Sequence, residues 1–193
     1  MNKLRVVQDS CYDSPREWDN LGKMICFHKR YDLGDSHNYN VDDYNSWEEL
    51  SKAIIKEESK GSIILPLYLY DHSGISISTG AFSCRWDSGQ VGFIVADRKK
   101  VLQEFGSKIL TKKLKDQVIK ILENEVQTYS QYLEGDVYGF IIEDEEGEQL
   151  DSCFGFYGND FAINGMLEYI DASLLGVEEG EVITLLEKAD IEY

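Results

Sequence analysis

Six carboxylates crowd one short stretch, GFIIEDEEGEQLDSCFGF: Glu143, Asp144, Glu145, Glu146, Glu148 and Asp151, arranged around Gly147. Like charges held this close repel and lower the stability of a compact state, so the stretch is either a solvated tip or a surface made to meet something basic. Lys108, Lys112, Lys113 and Lys115 pose the opposite question. They fall at the start of the longest helical pattern, where the helix dipole disfavours positive charge. Two readings are open: pairing with acids of the same chain, or a small basic patch that touches the phosphates of duplex DNA.

Catalytic patterns are weaker. Asp71-His72-Ser73-Gly74 holds the three residue types of a hydrolytic triad, but neighbours in extended chain point to opposite faces and cannot form that relay. A tight turn accounts for them better. His72 and His28 remain the candidate general bases, with nearby Asp side chains, for an enzyme acting on a nucleotide or nucleic acid. Cys26, His28 and His37 lack a fourth metal ligand, and an EF-hand with Gly147 at its sixth position would need an acid where Ile142 stands. No phosphate-cradling glycine loop is present. The sequence therefore predicts no catalytic residue, no metal and no cofactor.

These residues must be held by a scaffold. The chain has 193 residues, 42% of them hydrophobic, enough for a real core. Short strands are expected at Leu4 to Val7, Lys23 to His28, Ile63 to Tyr70, Ile75 to Ser78 and Val91 to Ala96. Ser46 and Glu49 form a capping-box pattern before Leu50, Ile54 and Ile55. The stripe Leu110, Leu114, Val118, Ile121, Leu122, Val126, Tyr129, Leu133 predicts a long amphipathic helix. Beyond the acidic hairpin, the pattern suggests a helix from about Asp160 to Leu174 and a last strand near Val182 to Leu186. Together these predict a single α+β domain over residues 1–193, with a central, mostly antiparallel sheet packed by the long helix and by shorter ones.

The net charge is −17, and its distribution is lopsided. Residues 1–122 hold 17 acids and 18 bases, whereas residues 123–193 hold 19 acids and one base, Lys188. Aromatics and glycines interleaved in the acidic half, as in CFGFYGNDF, argue for folded structure there. The longest apolar run, SIILPLYLY, is far too short to span a bilayer, and MNKLRVVQDS has no apolar signal core. The expectation is a cytoplasmic protein without membrane contact. Cys11, Cys26, Cys84 and Cys153 are widely separated and read as free, buried thiols.

Three strings, DSPREWDNLGKMICFHKRYDLGD, LYLYDHSGISISTGAFSCRWDSGQVGFIV and YLEGDVYGFIIED, resemble a family of uncharacterised proteins of bacteriophages and other mobile elements. The resemblance implies an accessory counter-defence protein, an anti-CRISPR (Cas9-type) inhibitor or an antirestriction factor. It carries over no catalytic residues. With the charge pattern, it leads to the expectation of a non-enzymatic inhibitor. Its acidic surface would occupy the basic nucleic-acid channel of a host defence nuclease, a Cas9-type effector or a restriction enzyme, in the host cytoplasm.

Overall fold

The computed structural model describes residues 2–189 and 191–192. In chain order its elements are β1 (Lys3–Gln8), β2 (Lys23–Cys26), α1 (Trp47–Glu57), β3 (Ile63–Asp71), β4 (Ile75–Ser78) and β5 (Ser88–Ala96). There follow α2 (Arg98–Glu104), α3 (Lys112–Glu134), β6 (Val137–Glu143), β7 (Gln149–Tyr157), α4 (Ala172–Leu175), α5 (Glu179–Lys188) and β8 (Ile191–Glu192). The class is α+β, as expected. The strands build two four-stranded sheets rather than one, and the chain divides into two compact units. One, the inserted unit, is Ser14–Ser130; the other, the terminal unit, combines the residues up to Asp13 with those from Gln131 on.

The inserted unit carries an all-antiparallel sheet in the order β2-β5-β3-β4. Its strands are rich in β-branched and aromatic residues, which suit a pleated, half-buried surface. Pro66 is tolerated in β3 because β4 pairs only from Tyr68 onward, so the missing N–H removes no ladder bond on that side. Gly92 is required: a Cβ there would run into the Ile25 carbonyl oxygen of β2. The α1 helix starts where Ser46 predicts, its hydroxyl accepting from the Glu49 N–H at 3.2 Å. Glu49 reaches back to the N–H of Asn45 rather than of Ser46, at 2.9 Å. Leu50 and Ile54 of this helix pack with Ile25, Phe93 and Val95 into a buried cluster. The predicted stripe of α3 is buried at Leu114, Val118, Leu122, Val126 and Tyr129. The helix begins at Lys112, so Leu110 and Lys108 precede it, and the separate α2, capped by Asp97, comes before them.

The terminal unit has the sheet order β7-β6-β1-β8, antiparallel except for the β1–β8 pair. Val6, Tyr138, Phe140, Ile142 and Phe156 cover one face with Met166, Leu175, Val182 and Leu186. Two expected elements differ. The segment after β7 is no continuous helix: Gly165 takes φ 91° and Asp171 opens a new cap, so only a 3₁₀ turn (Met166–Tyr169) and the short α4 form. The expected strand near Val182 to Leu186 is helical, part of α5. Glu178 and Glu181 make a reciprocal capping box, and Val182 and Leu186, four residues apart, share the buried face.

Candidate functional site

The acid excess coincides with one folded unit. The terminal unit holds 19 acids against three bases, Lys3, Arg5 and Lys188, whereas the inserted unit holds 17 acids and 16 bases. The boundary at residue 122 drawn from sequence alone approximates this division, because residues 1–13 add two acids and two bases while residues 123–130 take away only Glu123 and Glu125.

The acidic hairpin forms as expected, with β6 and β7 flanking a turn in which Gly147 takes φ 83°. Its six acids do different work. Asp144 builds the turn: its Oδ1 accepts from the N–H groups of Glu146 at 2.9 Å and Glu148 at 2.8 Å, and its own N–H donates to the Glu148 carbonyl. Glu143 pairs at 2.5 Å with Arg5, which also holds Glu192. The Asp151 carboxylate accepts the Ser152 N–H at 2.8 Å on β7, the edge strand. Glu145, Glu146 and Glu148 are exposed. Thus half of the predicted surface is structural, and the other half is displayed on a turn that the first half fixes. Beside it, Phe154 lies over Gly139, where a side chain would collide with its ring, and remains 47% exposed.

Lys112, Lys113 and Lys115 are exposed in the first turn of α3, and Lys108 is exposed before it. Among the described residues none of the four makes an ion pair. The expected pairing with acids of the same chain is therefore not seen there.

In the inserted unit, the chemistry-bearing residues converge more than their sequence spacing suggests. A cleft of about 420 Å³ is lined by His28, Arg30, Asp71, Trp86 and Asp87, with Phe27 at its wall. Trp86, from the loop between β4 and β5, is 96% exposed. Asp71-His72-Ser73-Gly74 is the turn between β3 and β4, with Ser73 at φ 58°. Asp71 is engaged by Arg30 and by the Tyr31 hydroxyl, not by Ser73. His72 instead lies with Nδ1 3.6 Å from Asp87 Oδ2, which the Cys84 thiol also approaches at 3.4 Å. His28 stacks on Tyr31, and its Nδ1 accepts the N–H groups of Arg30 and Tyr31 at 3.3 Å. That lone pair is in use, which leaves His72 the better placed base of the two.

No group that could hold a metal ion is found among the described residues. Of the three residues weighed as ligands, His37 Nε2 lies 2.9 Å from the Cys26 carbonyl oxygen. The Cys26 thiol is pushed up to about 12, first by burial and then by the Asp35 charge. Only Cys26 is buried; Cys84 and Cys153 are half-buried and Cys11 is exposed, which corrects the expectation of four buried thiols.

One buried polar cluster was invisible in sequence. The Arg16 guanidinium, its side chain 6% exposed, forks onto Asp35 at 2.6 and 3.0 Å, reaches Glu125 at 3.4 Å and donates to the Gly22 carbonyl. Glu125 also accepts from the N–H groups of Leu21 and Gly22, and Asp35 from that of Met24. Burial raises the Glu125 carboxyl above its ordinary value, against those bonds and the Arg16 charge. The cluster ties α3 and two loops to β2, a structural role.

Compared with protein-family models, curated proteins and solved structures, the chain matches none. Among the described residues no helix is long and apolar enough to cross a membrane.

Proposed function

We propose that the protein is a non-enzymatic inhibitor whose acidic terminal unit occupies the basic nucleic-acid channel of a host defence nuclease, Cas9-like or of restriction type. One observation carries the reading: nearly all of the net charge belongs to one folded unit, with Glu145, Glu146 and Glu148 displayed on a turn fixed by Asp144. Channels that hold phosphates are lined with Lys and Arg, and a preorganised carboxylate array competes for those charges at low conformational cost. The counter-defence setting comes from the resemblance to phage and mobile-element proteins. The test is cleavage by a purified Cas9-type nuclease and by a restriction enzyme, with rising protein and at several salt concentrations. Inhibition that weakens steeply with salt, and a slower association for the variant with Glu145, Glu146 and Glu148 changed to Gln, are expected. A complex equally tight at low and high salt sinks the proposal.

The approach of His72 to Asp87, which lines the Trp86 cleft, favours a second reading, an enzyme on a nucleotide or nucleic acid with His72 as general base. It requires His72→Ala to lower the rate about 10²–10⁴-fold. An unaltered cellular phenotype in that variant removes it.

A further inference from the structure

We infer that the terminal unit carries a second recognition element, a groove beside α4 and α5 that takes an arginine side chain of the basic partner. The inference rests on the acidic-interface reading and adds where, and by what chemistry, the partner is gripped. The groove has a volume of about 510 Å³. Its floor is apolar: Leu167 and Val177 are partly exposed over the buried Ile170, Ala172 and Val182. Its rim is acidic, with Glu168, Asp171 and Glu179, and among the described residues no basic one lines it.

The rim acids are not equivalent. Asp171 is spent on its own helix: its Oδ1 accepts from the N–H of Ser173 at 2.9 Å and from that residue's hydroxyl at 2.6 Å, and those bonds hold it below the ordinary carboxylate range. Glu168 and Glu179 are exposed, and among the described residues neither side chain makes a hydrogen bond or an ion pair. An apolar floor between two uncommitted carboxylates matches an arginine. Its methylene stem lies along Leu167 and Val177, and its planar fork donates to carboxylates from an apolar bed more readily than a strongly hydrated ammonium does. Charge complementarity selects the occupant: within a unit of 19 acids and three bases, an uncharged or acidic segment would meet only repulsion or unpaired carboxylates. The volume leaves room for one apolar neighbour of that arginine.

The test is an amide-resolved NMR titration of the full chain with a nine-residue glycine-serine peptide bearing a central Arg-Leu-Arg. The same peptide with citrulline for arginine, and spermidine, serve as comparisons. Expected are shifts across residues 167–182 with the arginine peptide, at least tenfold weaker affinity with citrulline, and loss of those shifts in Glu168→Lys/Glu179→Lys. A second variant, Leu167→Trp, fills the floor without touching charge and should block the same shifts. Shifts confined to the hairpin turn at 144–148 would overturn the groove while leaving the acidic interface standing. Shifts nowhere would overturn both. Spermidine acting as strongly as the arginine peptide at 167–182 would overturn the assignment of a partner side chain.

Discussion

Replacing Arg16 with methionine keeps most of the side-chain volume and removes the one cation that, among the described residues, pairs with Asp35 and Glu125. Both carboxylates then stay largely shielded, with side chains 21% and 12% exposed, and keep only backbone N–H groups as partners. Breaking a buried ion pair from one side costs about 3–5 kcal/mol. At about 2–4 °C per kcal/mol for a chain of this size, the midpoint of unfolding should fall by about 6–20 °C. The sign of the pH dependence follows from the carboxylates. Glu125 already has a folded pKa raised by burial, and losing Arg16 raises it further. A carboxyl with a folded pKa above its unfolded one binds protons more tightly when folded, so stability is lost as pH rises through the folded value. The deficit of Arg16→Met should therefore be larger near pH 8 than near pH 5. Trp18, Trp47 and Trp86 all belong to the inserted unit, so tryptophan fluorescence during urea unfolding reports on that unit alone. The double variant Arg16→Met/Glu125→Gln keeps an acceptor for the Leu21 and Gly22 N–H groups and should recover part of the loss. A deficit under about 1 kcal/mol, or one identical at both pH values, would refute the account.

Gly92→Ala should destabilise the inserted unit by about 3 kcal/mol or more, because the obstructing atom is a backbone carbonyl that cannot move aside; chemical unfolding measures it. Asp144→Ala removes the carboxylate oxygen that accepts two N–H groups of the hairpin turn and should cost about 1–2 kcal/mol, seen as faster amide exchange at Glu146 and Glu148. If the exposed lysines of α3 touch DNA, the protein shifts duplex DNA in a low-salt gel, and changing Lys112, Lys113 and Lys115 together to Gln abolishes the shift. No shift by the unchanged protein rules that contact out.

Elements specified by local chemistry were legible in the sequence. Ser46 marks the start of α1, the three-and-four spacing from Leu114 to Tyr129 marks α3, and Gly147 marks the hairpin turn. Short apolar runs were not. Val182-Ile183-Thr184-Leu185-Leu186 fits strand and helix equally by composition, and only the capping pair Glu178 and Glu181 before it separates the two. The 160–174 segment has helical spacing, but Gly165 and the cap at Asp171 interrupt it. Long-range partners left no trace. Arg16 meets Asp35 and Glu125 from 19 and 109 residues away, and β1 meets β8 across nearly the whole chain. Of the candidate site, the six acids were visible, but not that three of them serve the scaffold. His72 was visible without Asp87 as its companion, and the groove by α5 was hidden by the misread strand.

The position of β1 has a consequence for synthesis. It is made before both neighbours that complete its ladder, β6 and β8, which are encoded after the entire inserted unit. Ribosomes add about 5–20 residues per second, so some 130 residues pass in roughly 6–26 s before β6 emerges. The inserted unit has every one of its strands by Ala96 and its buried helix face by Ser130, and is equipped to fold within that interval. Leu4, Val6 and Val7 meanwhile wait as an unpaired apolar strand, flanked by Lys3 and Arg5. Charge at those two positions disfavours premature pairing with other nascent chains, and Arg5 meets Glu143, and later Glu192, only after the inserted unit has been made.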